Sequence, residues 1–171
     1  MRWRRQVDLP EPARAALALA PGERVLAAAS VEASAAGRLP HVIATDRALH
    51  VPADGGFERI SYESILKLGW DQDQATLTVV RPEPAGRLDL PLAEPGFVPE
   101  TVRERVQNTI VYSQHVPLRG PQGVLVSARR APGAGETRWT VVFDAGLDRN
   151  DAELRERAER ALAELRAQTG I

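Results

Sequence analysis

The sequence predicts an α+β fold in the order seven strands, helix, three strands, helix. Three observations carry that reading. Between residues 25 and 92, apolar side chains recur at strand period between turn residues, the pattern of an antiparallel meander. At Glu94-Pro95-Gly96 that pattern breaks, and Val98, Val102 and Val106 follow at a spacing of four, with Pro99 in the first helical turn. The chain then returns to strand period three times before its clearest helical stripe, Leu154, Ala158, Ala161, Leu162 and Leu165.

Taken in order, Pro10 to Ala20 reads as a short helix, with Ala13, Leu17 and Ala20 on one face and Pro21-Gly22 as its stop. Strands are expected over 25–31, 39–45 and 48–51, with Asp46-Arg47 as the tight turn between the last two. Asp54-Gly55-Gly56 is the strongest turn signal, because glycine reaches positive φ without steric cost. Residues 57–61 form the next strand; 65–70 and 76–80 form a hairpin around Asp71-Gln72-Asp73-Gln74, and 87–92 is the seventh strand. The valine-striped helix runs to about Asn108. Strands follow over 110–117, 123–131 and 137–144, the last with Trp139, Val141 and Phe143 on one face. Asn150 is the expected cap of the final helix, with Glu153 three residues on and Gly170 after its end.

At 171 residues, the chain has room for one ordinary domain or two very small ones. Its 43% hydrophobic and 26% charged content is that of a globular chain. Lys67 is the only lysine, so 21 of the 22 basic side chains are arginine, a bias that with abundant Ala, Gly and Pro points to GC-rich codons. The net charge of -1 argues against a general nucleic-acid binder. It is unevenly spread: residues 1–20 carry +2, residues 21–96 carry -4 and residues 97–171 carry +1. The absence of cysteine removes disulfides and thiolate chemistry and suits a cytoplasmic protein. Met1 to Arg5 imitates the basic start of a signal peptide, but Asp8, Pro10, Glu11, Pro12 and Arg14 interrupt the apolar run a signal needs. Every apolar stretch is shorter than the roughly 20 residues of a membrane span.

Two stretches carry a family likeness. Ala44-Thr45-Asp46-Arg47-Ala48-Leu49, then Arg59-Ile60-Ser61-Tyr62-Glu63-Ser64-Ile65 and Trp70, resemble the core of the bacterial pleckstrin-homology-like (PH-like) domains found in many uncharacterised actinobacterial proteins. Those domains commonly show Thr-Asp-Arg-Arg-Leu and Ile-Pro-Tyr-x-x-Ile; Ala48 stands here for the second arginine and Ser61 for the proline. The resemblance spans residues 23–110 and implies a seven-stranded antiparallel bent sheet, a split barrel, with a capping helix. The expected divisions are an N-terminal extension over 1–22 with the short helix, a PH-like domain over 23–110, and an αβββα unit over 98–171 that shares the linking helix. Eukaryotic relatives of this fold bind phosphoinositides through basic residues of the first hairpin loop. The corresponding loop, Glu32 to Arg38, offers one arginine and one glutamate, so lipid binding is not carried over.

Candidate chemistry is sparse. His41, His50 and His115 lack the spacings that bring two metal ligands together. Asp71-Gln72-Asp73-Gln74 opens like a calcium loop but lacks its later glycine and bidentate glutamate, so it reads as a solvated turn. Nothing resembles a nucleophile elbow, a phosphate loop or a dinucleotide fingerprint, and no cofactor is expected. Arg119, Arg129 and Arg138 fall on neighbouring strands and could converge as an anion-binding patch, although arginines solvating an outer sheet face explain them more simply. The helix-strand-strand-strand-helix order of 98–168 copies double-stranded RNA-binding domains. Gly123 stands where that family has its loop histidine, and Asn150-Asp151-Ala152-Glu153 replaces its lysine cluster, so the likeness stops at topology.

The residues therefore lead to a non-enzymatic binding or scaffolding module that meets a protein partner or another copy of itself. Weak nucleic-acid or phosphoanion binding through the three arginines is the alternative. An enzyme using His115 or Asp144 comes third.

Overall fold

The computed structural model describes residues 7–32, 39–133 and 135–171. Both the Met1–Arg5 stretch and most of the loop that ends at Arg38 lie outside them. The elements, in chain order, are α1 (Glu11–Ala16), β1 (Val25–Val31), β2 (His41–Thr45), β3 (Ala48–Ala53), β4 (Gly56–Ser61), a 3-10 turn (Tyr62–Ser64), β5 (Lys67–Asp71), β6 (Thr76–Val80), β7 (Arg87–Glu94), α2 (Val98–Asn108), β8 (Ile110–Arg119), β9 (Gln122–Arg130), β10 (Thr137–Phe143) and α3 (Ala152–Thr169). The α+β order expected from the sequence is the one observed. The chain divides into two compact units, residues 1–107 and 108–171.

In the first unit, seven antiparallel strands lie in the order β4-β3-β2-β1-β7-β6-β5, so β4 and β5 are the sheet's two edges. β7 joins the halves: residues Arg87 to Pro91 pair with β6, while Leu92 and Glu94 reach β1, where the register shifts. Alternate residues of the strands, among them Val42, Ala44, Leu49, Ile60, Leu77, Val79, Leu90 and Leu92, face one core. Val98, Val102 and Val106 of α2 close it, because a spacing of four keeps them on one helical face. Arg81, directly after β6, forms an ion pair with Glu58 of β4. The Asp54-Gly55 turn forms as expected, with Gly55 at φ +77°.

The first helix is shorter than its pattern suggested: it ends at Ala16, and Leu17 is already extended. Only Ala13 within it is buried, so there is no apolar stripe to hold a longer helix on the sheet.

In the second unit, three antiparallel strands lie in the order β10-β9-β8. Val116, Leu118, Val124, Val126, Trp139, Val141 and Phe143 meet Leu154, Ala158, Leu162 and Leu165 of α3 in a separate core. Trp139 packs against Tyr112 at 6.0 Å between ring centres, and the Arg166 guanidinium lies over it at 5.7 Å. The cap of α3 is Asp151 and not Asn150: the Asp151 carboxylate accepts the Glu153 and Leu154 backbone N–H groups at 3.0 and 3.2 Å. Gly170 ends the helix in the left-handed region.

Candidate functional site

The two stretches behind the family likeness meet in space. Thr45 ends β2, and its hydroxyl oxygen accepts the Arg47 and Ala48 N–H groups at 3.1 and 2.9 Å, which shapes the turn into β3. Asp46 ties that turn to the start of β1 by accepting the Arg24 backbone N–H at 2.9 Å. The Tyr62 hydroxyl, from the second stretch, donates to the Thr45 carbonyl at 2.8 Å. Beneath the turn, the Glu23 carboxylate accepts the Ala20 backbone N–H at 3.0 Å, the Thr45 hydroxyl at 2.5 Å and the His50 Nε2–H at 3.3 Å. Arg59 stands 3.9 Å from it.

Glu23, Thr45, His50 and Tyr62 are all buried. Burial alone would raise the Glu23 pKa, but the hydrogen bonds from Thr45, Ala20 and His50 and the Arg59 charge outweigh it and hold the carboxyl below its ordinary value. Burial also lowers the pKa of His50, against the pull of Glu23. Both directions agree on a neutral imidazole donating to a charged carboxylate. Every partner of this knot is a turn or strand group of the fold itself, which gives it a structural task.

The second unit holds another such pair. His115 Nε2 lies 2.8 Å from Asp144 Oδ2, which also accepts the Gly123 backbone N–H at 2.7 Å. The His115 and Gly123 hydrogen bonds hold Asp144 below its ordinary pKa. A β-carbon at Gly123 would come within 1.9 Å of the Val116 carbonyl oxygen, so only glycine fits there. Both side chains of the pair are well exposed, at 43% and 34%. Nearby Ser113 is engaged with Ser127 at 3.1 Å.

Strand register disperses the arginines. Arg129 and Arg138 are cross-strand neighbours, whereas Arg119 pairs with Gln122 at the opposite end of β9. Arg119 also reaches Asp151 at the cap of α3, 3.3 Å away. Arg129 is buried and donates to the Thr109 hydroxyl at 3.2 Å. Arg138 is exposed. The three therefore do not converge on one patch. His41, His50 and His115 stand at the start of β2, in β3 and in β8, and no group of three metal-ligating side chains occurs among the described residues. Asp71 spends one carboxylate oxygen on the Asp73 and Gln74 N–H groups, both at 3.0 Å, as an ordinary turn residue.

A groove of about 570 Å³ in the first unit is lined by Trp70, Ala75, Pro95, Pro99, Glu100 and Arg103, among others. It lies between the end of β5, the β5–β6 turn and the first turns of α2. Trp70 is 37% exposed, and Phe97, between lining residues Gly96 and Pro99, is 72% exposed. Sequence reading passed over this surface. Its one signal was Phe97, an aromatic residue directly before the valine stripe that buries α2. No helix among the described residues is long and apolar enough to cross a membrane. The chain matches no family model, no curated protein and no solved structure.

Proposed function

We propose that this chain is a non-enzymatic protein-binding module of PH-like architecture, and that the groove between β5 and α2 is its contact surface. The observation that carries the reading is exposed aromatic surface at the groove: Trp70 lines it with two prolines and Arg103, and exposed Phe97 follows its lining residue Gly96. Trp, Phe and Arg are the side chains enriched where proteins meet, because each buries a large area at small cost in conformational entropy or anchors several hydrogen bonds. Prolines keep the walls preformed, which lowers the ordering penalty on binding.

The PH-like part of the proposal rests on the meander closed by α2 and on the Thr45–Asp46–Tyr62 turn chemistry. The non-enzymatic part rests on the two His–carboxylate pairs, of which one is locked into the fold and the other stands on an open strand face. A chain free of cysteine fits a reducing compartment such as the cytoplasm.

A photo-crosslinking amino acid at position 97, in the full chain expressed in its source organism, tests the surface. The expected result is a discrete polypeptide adduct that disappears when Trp70→Ala is added. A crosslink pattern unchanged by Trp70→Ala, or no adduct at all, removes the reading.

A further inference from the structure

We infer that β5 is a homodimerisation edge, pairing antiparallel with β5 of a second copy about a two-fold axis at Gly69. The inference rests on the protein-binding reading above and names the partner.

β5 is an outer strand of the seven-stranded sheet. A strand edge presents a row of N–H and C=O groups that water or another strand must satisfy. The opposite edge, β4, has α1 beside it: the Ala16 carbonyl lies near Gly56. In the second sheet, β8 is interrupted by Pro117 and two register shifts, and β10 carries Arg138 as its single charge. β5 has neither a proline nor a shift in its register with β6.

Its five residues, Lys67-Leu68-Gly69-Trp70-Asp71, read as their own complement when reversed. Pairing about Gly69 sets Lys67 against Asp71 of the second copy and Leu68 against its Trp70, each twice by symmetry. Strand alternation puts Lys67, Gly69 and Asp71 on one face and Leu68 and Trp70 on the other. Leu68 packs against the core of the first unit and Trp70 lines the groove, so this second face is the apolar one. The dimer thus carries two ion pairs on the solvent face and two aromatic–aliphatic pairs on the core face, and both kinds stabilise antiparallel strands.

Neighbouring registers do not work. Moving the pairing one residue one way sets Lys67 against Trp70; moving it the other way sets Leu68 against Asp71. Lys67 and Asp71 are both exposed. Among the described residues Lys67 makes no ion pair, and Asp71 uses one oxygen of its carboxylate for the turn. The charges are therefore available. The contact is short, under the roughly 1,200 Å² of a standard interface, which makes this a weak dimer.

Sedimentation equilibrium of the full chain up to about 1 mM is the test. The mass is expected to rise with concentration from 18.6 kDa towards twice that value. Lys67→Asp, which sets like charges opposite each other twice, weakens dimerisation about tenfold or more. Asp71→Asn keeps the turn's hydrogen bonds and weakens it less. Position 69 tolerates a side chain, since a β-carbon there meets only Thr78 at 3.7 Å. In this cysteine-free chain, Gly69→Cys should give a disulfide-linked dimer on mild oxidation, and Glu104→Cys on α2 should not. A monomer at every concentration, or a dimer indifferent to Lys67→Asp, overturns the inference. A monomer that still yields the position-97 adduct with another polypeptide overturns it while leaving the protein-binding reading in place.

Discussion

The two units each contain a histidine bonded to a carboxylate, and the shorter bond belongs to the more exposed pair. His50 and Glu23 are 3.3 Å apart in the core of the first unit, whereas His115 and Asp144 are 2.8 Å apart on an open strand of the second. Distance ranks the surface pair first, and burial ranks the core pair first. Glu23 has no exposed side-chain surface and answers to a backbone N–H, a hydroxyl and an imidazole at once. Removing it strands those groups where water does not reach. Removing Asp144 frees the exposed His115 imidazole, which water can solvate, so a substitution that keeps an acceptor for the Gly123 N–H should cost little.

The largest expected effect follows from that contrast. Glu23→Ala should cost about 3 kcal/mol of unfolding free energy, the scale for breaking a buried, multiply bonded charged group. Urea unfolding with an unchanged slope would measure it. Glu23→Gln should cost less, because the amide oxygen can keep the Ala20 N–H while Thr45 turns its hydroxyl to the Ala48 carbonyl, 3.0 Å away. A Glu23→Ala protein within about 1 kcal/mol of the parent would mean that the knot is not what fixes the β2–β3 turn.

Acid should loosen the same knot from two sides. His50 has a folded pKa below its ordinary 6.5, so the unfolded chain binds the proton first, and stability falls as pH drops below about 6.5. Glu23 has a folded pKa below its ordinary 4.5; its contribution is present above that value and is lost as pH falls further, through the folded pKa. Stability should therefore decline in two stages on acidification. The His50 ring resonances, followed by NMR, should titrate below pH 6.5. Titration at or above that value would reverse the assignment of a neutral imidazole.

Which of these features the sequence announced depended on whether local pattern or tertiary context decides them. The strand meander and both valine- and leucine-striped helices are periodic, so their type was legible from spacing alone. The Asp46-Arg47 turn was legible as a tight turn between two strands, yet Glu23, which holds Thr45 beneath it, lies 22 residues upstream and carries no local mark. The arginine trio failed for a related reason. Strand order brought Arg129 beside Arg138, but the β8–β9 register sent Arg119 to the far end of the sheet, where Asp151 holds it. Asp151 displaced Asn150 as the helix cap because the helix starts one residue later than its pattern implied. The groove escaped because Trp70 of β5 and Pro99 and Arg103 of α2 come from separate elements that only folding brings to one surface.

The smallest effect should come from the surface pair, and a double-mutant cycle isolates it. His115→Ala, Asp144→Asn and their combination should leave the unfolding midpoint close to that of the parent, since the side-chain amide oxygen introduced by Asp144→Asn would still accept the Gly123 N–H. The combined change should equal the sum of the single ones, because exposed partners are already solvated in each single variant. Whatever coupling remains should vanish in about 0.5 M salt, where charges are screened over a few ångströms. The same cycle on Glu23 and His50 should keep most of its coupling in that salt. A salt-resistant coupling at His115 and Asp144 would place that pair in the class of the buried knot, and exposure would then have to yield to bond geometry as the quantity that ranks the two.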